Sequence, residues 1–136
     1  MQLKRIHHIG FVVRNLDQAV ERYEHLLGMH FDQIEEHPAR PVRTARLRLG
    51  EVWLVLVQPL QMDTVPGRIL QQRGEGFYII SYEVEDLPTA IRTIESRGGK
   101  MTDTVPRKGI SNWRVADLER DDTLGVLTQI CQEIDE

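Results

Sequence analysis

His8-Ile9-Gly10-Phe11-Val12-Val13-Arg14-Asn15-Leu16 has a counterpart later in the chain, Ile79-Ile80-Ser81-Tyr82-Glu83-Val84-Glu85-Asp86-Leu87. Each is a run of β-branched and apolar residues that ends at a helix-capping side chain, Asn15 or Asp86, followed by a leucine. The same offset pairs Ala19 with Ala90 and Gly28 with Gly99. Any two strand–helix units share something of this pattern. The common order of elements and the common glycine favour duplication.

Working outward, Ile6 to Val13 reads as a strand. Leu16, Ala19, Val20, Tyr23, Leu26 and Leu27 recur at helical spacing, and Gly28 stops that helix. His30 to Glu36 is expected to be a strand, Pro38 and Pro41 a loop, and Val42 to Leu49 an alternating strand with Arg46 and Arg48 on one face. Gly50-Glu51 turns into the nearly continuous apolar strand Val52 to Val57, closed by Gln58-Pro59. A connection follows, with a short helix over Val65 to Arg73. Phe77 to Val84 is the next strand, and a helix from Leu87 to about Arg97 stops at Gly98-Gly99. Lys100 to Val105, Trp113 to Leu118 and Val126 to Ile130 supply three more strands. The order strand, helix, three strands thus occurs twice: a first module over about 4–59, a connection over 60–75 and a second module over about 76–132, in one domain of 136 residues.

Hydrophobic residues make up 40% of the chain, enough for a core, and the formal net charge of −4 gives no electrostatic reason to expect nucleic acid or an anionic membrane as partner. No apolar run has the length of a membrane span or a secretory leader. Cys131 is the single cysteine, which excludes an internal disulfide and suits a cytoplasmic protein.

Several segments together resemble the vicinal-oxygen-chelate superfamily of glyoxalases, bleomycin-resistance proteins and dioxygenases, and within it methylmalonyl-CoA epimerases. Ile6-His7-His8-Ile9-Gly10-Phe11-Val12-Val13 with Leu16, Ala19, Tyr23 and Leu26-Leu27-Gly28 is similar to the family's first strand and helix. Val42 through Gly50 and Leu54 to Pro59 resemble its hairpin, and Ile69 through Gly76 the segment before its second module. Gly125-Val126-Leu127 resembles the entry to the last strand. The resemblance implies an α+β fold of two tandem βαβββ modules, their mixed sheets curled around a shared cavity, often in a homodimer. It also implies four ligands for a divalent metal that polarises substrate oxygens.

Carried over position by position, that ligand set is degenerate. His8 matches the first histidine, but the second ligand falls on Val55, the second histidine on Ile79 and the last glutamate on Gln129. Hydrocarbon donates nothing to a cation, and a neutral amide is a weak ligand beside a carboxylate. No histidine follows His37, so the second module's imidazole is missing in any register. The glutamate that serves epimerases as acid/base falls near Ala39. No cofactor is expected, with a divalent ion on His8 and Gln129 as the alternative.

The candidate ligand-binding residues are therefore His8, Trp53, Val55, Phe77, Ile79, Trp113 and Gln129. His8 is either a surviving polar contact or an inherited, hydrogen-bonded wall residue. His7 is expected to face the other way, toward a helix or solvent. Val55 and Ile79, with Trp53 and Phe77 at matching parity, make either an apolar cavity or a filled core. Trp113 follows the loop Pro106 to Asn112, whose Arg107 or Lys108 would meet an anion if that loop closes over a ligand. Arg40, Arg43, Arg46 and Arg48 are either phosphate contacts or charges that guard an edge strand. Asp117, Glu119, Asp121 and Asp122 read as an acidic surface turn. Three functions follow: a protein that binds a small, partly apolar organic molecule; an epimerase, lyase or isomerase acting on a carbonyl compound or acyl-CoA; or a dimeric interaction module with its cavity filled.

Overall fold

A computed structural model describes residues 1–37 and 39–134. Pro38, expected in a loop, lies outside the described residues. Among the described residues, eight strands and three α-helices follow in the order β1 (Arg5–Val12), α1 (Leu16–Leu27), β2 (His30–His37), β3 (Val42–Leu49), β4 (Val52–Pro59), α2 (Val65–Arg73), β5 (Gly76–Glu83), α3 (Leu87–Ser96), β6 (Arg107–Lys108), β7 (Trp113–Asp117) and β8 (Thr128–Glu133). The fold is α+β, with the strand–helix–three-strand order realised twice. The chain divides into two compact units, a first of His8–Tyr78 and a second of Met1–His7 with Ile79–Glu136. The connecting residues 60–75 group with the first.

In the first unit the strand order is β2-β3-β4-β1, with β4 parallel to β1 and the other pairs antiparallel. Alternation sends Ala45, Leu47, Leu54 and Leu56 to one face, where they pack on Leu16 and Val20 of α1. In the second unit the order is β5-β8-β7-β6, with β8 parallel to β5. There Ala116 and Ile130 pack on Leu87, Ala90 and Ile91 of α3.

The two main helices begin alike. Asn15 accepts from Gln18 N at 3.0 Å, and Asp86 from Thr89 N at 3.1 Å. Each first helical N–H is then taken by a glutamine from a strand: Leu16 N donates to Gln58 Oε1 at 2.8 Å, and Leu87 N to Gln132 Oε1 at 2.7 Å. One of the N–H groups that every helix start leaves without a partner is thereby satisfied twice in the same way. Gln58 faces α1, as its odd spacing from Val55 requires.

The helices end differently. Gly28 closes α1 in the left-handed region at φ 66°. Its repeat counterpart, Gly99, is not left-handed; Gly98 takes that conformation at φ 87°. A Cβ on Gly99 would instead meet the Ile94 side chain at 2.6 Å, so this glycine serves close approach.

Two expected strands need correction. Lys100 to Val105 forms no strand; Met101 makes a single bridge to Leu118. The Asp103 carboxylate accepts the Asp117 N–H at 2.8 Å and pairs with Arg107, so a side chain occupies the place of ladder bonds. Pairing resumes only at Arg107–Lys108. The last strand starts at Thr128 rather than Val126, because Thr123 Oγ1 donates to Val126 O at 2.7 Å and holds that segment in a turn.

Candidate functional site

The candidate residues fall on the sheet faces turned away from α1 and α3. In the first unit, register pairs His8 with Trp53, Gly10 with Val55, Arg48 with Trp53 and Arg46 with Val55, so these side chains share the face opposite the α1 core. His8 and Val55 are buried. The Trp53 ring carries two guanidinium groups, Arg46 at 4.3 Å and Arg48 at 4.7 Å from its centroid. The ring's negative face attracts each cation. Arg46 is also held by Asp32 through Nε at 2.9 Å and Nη2 at 2.6 Å. β3 lies between β2 and β4 and not at a sheet edge, so the edge-guard reading does not hold; Arg46 and Arg48 fix the indole. Phe77 is 44% exposed and stands at the start of β5.

In the second unit, Ser81 pairs with Gln129, and Gln129 with Asp117, so these share a face with Ile79. Gln129 is 5% exposed and donates from Nε2 to Asp117 Oδ1 at 2.9 Å. The other oxygen, Asp117 Oδ2, accepts from Arg107 Nη2 at 3.3 Å. Arg107, expected to meet an anion from a closing loop, is instead committed to Asp103 and Asp117. Asp117, expected at the surface, anchors this partly buried network. Sequence reading missed it, although Asp117 shares strand parity with Trp113 and Val115.

Trp113 also departs from expectation. At 1% exposure it is enclosed, and its ring meets His7 edge to face at 4.5 Å between centroids, with planes at 88°. His7, expected against a helix or solvent, is fully buried in the same cluster. Its Nε2 lies 2.9 Å from Glu133 Oε1, and its Nδ1 lies 3.6 Å from Cys131 Sγ. A carboxylate only accepts, so Nε2 carries the proton and Nδ1 accepts from the thiol. Burial lowers the His7 pKa below its ordinary 6.5, against the opposing pull of the Glu133 hydrogen bond. Burial, with the nearby Glu133 and Glu83 charges, pushes the Cys131 thiol up, which keeps it protonated and unreactive.

The metal that the resemblance implies does not fit these residues. Val55 and Ile79 offer only hydrocarbon, and the Gln129 amide is turned with its nitrogen to Asp117. Elsewhere, His7, Glu83 and Glu133 bring one ligand atom each to within 4.8 Å of one another. These groups already pair as His7–Glu133 and Arg5–Glu83, the latter at 2.8 Å, and make a hydrogen-bonded cluster as they stand. Among the described residues no helix is long and apolar enough to cross a membrane.

Comparisons with known proteins agree with this architecture. The chain is 28% identical over 130 residues to the uncharacterized protein YqjC of Bacillus subtilis (strain 168), covering 96% of this chain and 93% of that one. A methylmalonyl-CoA epimerase solved with methylmalonyl-CoA and NH4+ is 30% identical, with a TM-score of 0.93 over 97% of this chain and 96% of its own. A variant of the Streptomyces coelicolor methylmalonyl-CoA epimerase, solved with 2-nitronate-propionyl-CoA, is 29% identical, with a TM-score of 0.94 over 98% of this chain and 100% of its own. The family model for the glyoxalase/bleomycin resistance protein/dioxygenase superfamily matches residues 7–116. With both βαβββ units present and most of the chain matched, this protein belongs to the glyoxalase/bleomycin resistance protein/dioxygenase superfamily.

Proposed function

We propose that this protein binds a small, partly apolar organic molecule and does so without a catalytic metal. The ligand contacts are placed on the faces turned away from the helices: His8, Trp53 and Val55 in the first unit, Ile79 and Gln129 in the second. Phe77 and Trp113 belong to the same set, Phe77 as an exposed rim and Trp113 as support from beneath. The observation that carries the reading is buried hydrocarbon, Val55 in the first unit and Ile79 in the second, at positions that the resemblance assigns to chelators, with Val55 on the same strand face as an indole held by two arginines. Apolar walls with a few fixed polar groups are what a small-molecule site requires. A homodimer in the cytoplasm is part of the same reading.

A second reading is favoured by the likeness to epimerases solved with acyl-CoA ligands: an epimerase, lyase or isomerase acting on a carbonyl compound or acyl-CoA, with His8 as the group that moves a proton.

The test is a tryptophan-fluorescence titration, in EDTA, with a panel of aromatic and short-chain acyl compounds. Saturable quenching that disappears in Trp53→Phe is expected. A response that requires added divalent metal would overturn the first reading. Exchange of the substrate α-proton of methylmalonyl-CoA in deuterated water, lost in His8→Ala, would establish the second.

A further inference from the structure

The helix side of the first unit carries a groove of its own. It runs between α1, the end of β1 and the start of β5, and its volume is about 430 Å³, within the roughly 300–1,000 Å³ of small-molecule sites. The floor is apolar: Phe11, Ala19 and Tyr23 line it and also pack on the α1 core. On the β5 side the wall is the backbone of Gly76, where an added Cβ would meet nothing within 4 Å.

The polar groups on the rim divide into committed and uncommitted ones. Asn15 Oδ1 accepts from Gln18 N at 3.0 Å as the helix cap. Glu75 accepts from Arg14 N at 2.9 Å and pairs with the Arg14 guanidinium at 3.4 Å, which balances its charge. Arg22 differs. Its neighbours at helical spacing on α1 are Gln18, Ala19, His25 and Leu26, and none is a carboxylate. Among the described residues no carboxylate pairs with Arg22, and the Gln18 amide and the Tyr23 hydroxyl, which line the same groove, make no hydrogen bond. Partial burial holds the Tyr23 phenol above its ordinary value, so it stays a donor at neutral pH. The uncompensated charge of the groove is therefore that of Arg22, with two further donors on the same rim.

We propose that this groove is a second binding site, which takes a monocarboxylate on a short apolar body. Arg22 grips the carboxylate, Gln18 and Tyr23 donate to it, and Phe11 and Ala19 hold the hydrocarbon. A guanidinium matches a carboxylate in shape as well as charge, and charge-assisted bonds are the strong ones. A neutral alcohol or amide on the same body meets the same floor and leaves the guanidinium to water. The site is independent of the ligand-binding reading above: Phe11 packs with α1, on the sheet face opposite His8 and Val55, and the groove uses none of the residues assigned there.

The test is a two-dimensional heteronuclear NMR titration of the intact protein at low salt, with hydrocinnamate, hydrocinnamamide and hydrocinnamyl alcohol as probes that share one body. Saturable shifts of the Ala19, Arg22 and Tyr23 amides and of Arg22 Nε are expected with hydrocinnamate. The amide and the alcohol should bind about tenfold more weakly at the same resonances. Arg22→Gln keeps a good helix former and removes the charge. It should weaken hydrocinnamate about tenfold and leave the two neutral probes within about twofold. Gln18→Glu is an independent variant: a glutamate four residues before Arg22 pairs with it along the helix, which supports the fold and should weaken hydrocinnamate by at least about threefold. Trp53→Phe should leave these shifts unchanged. No saturable shift at these resonances, equal binding of acid and amide there, or full hydrocinnamate affinity in both α1 variants would overturn the second site and leave the ligand-binding reading standing on its own test.

Discussion

The two units repeat a framework and part company on their open faces. In the first, β1, β3 and β4 present His8, Trp53 and two arginines, a surface of donors and π-electrons. In the second, β5, β7 and β8 carry Ser81, Gln129 and Asp117, with the Gln129 amide donating to the Asp117 carboxylate. The helix-side devices are meanwhile conserved in kind within the molecule: Asn15 and Asp86 cap, and Gln58 and Gln132 take the leucine N–H groups. Duplication copies what holds a helix on a sheet, because that geometry is identical in both copies. Facing chemistry is free to diverge, since strand alternation insulates it from the helix side.

The largest expected effect separates the two tryptophans. Trp113→Ala should cost about 3–5 kcal/mol in urea unfolding, since a fully enclosed indole leaves a cavity. Trp53→Ala should cost about 1 kcal/mol, mostly the lost arginine contacts, while abolishing the fluorescence response to ligand. Similar losses for the two would break the contrast between a supporting and a contacting ring.

Next come the glutamines. Gln58→Leu and Gln132→Leu should each cost about 1–2 kcal/mol by leaving a helical N–H without its acceptor. Matching values would sharpen the duplication; a neutral effect at one site would show that water replaces that glutamine.

A smaller effect arises in the second unit. The His7 pKa is lowered by burial, so the unfolded chain takes up a proton near 6.5 while the folded chain resists until a lower pH. Stability should therefore decline as pH falls below about 6.5, and stop declining on this account once the folded imidazole itself titrates. His7→Gln, which keeps a donor for Glu133, should flatten the melting temperature between pH 7.5 and 5.5 relative to wild type. An unchanged slope would assign the decline to other groups. The repeat counterpart, Tyr78, carries no basic nitrogen.

Much of the framework was legible in the sequence because local rules set it. Asn15, Asp86 and Gly28 act where capping chemistry places them, and α2 runs over Val65–Arg73 between Thr64 and Gly74 as read. The parity argument put Gln58 on the helix side and Val55 on the other, and both are there. What escaped depends on contacts between residues distant along the chain. Asp103 replaces ladder bonds at Asp117, which no periodicity over Lys100 to Val105 can reveal. Trp113 and His7 enclose each other across more than a hundred residues of sequence, whereas the sequence alone suggests a ligand contact for Trp113 and a helix or solvent neighbour for His7. The orientation of Gln129 likewise needs Asp117 beside it, a pairing that only the β7–β8 register supplies.

The most direct measurement is the metal content of protein purified without chelator, read by inductively coupled plasma mass spectrometry against protein concentration. With Val55 and Ile79 at the positions that the resemblance assigns to chelators and Gln129 turned to Asp117, we expect cobalt, nickel, zinc and manganese each far below one ion per chain. One tightly held ion per chain, lost in His8→Ala, would contradict metal-free binding.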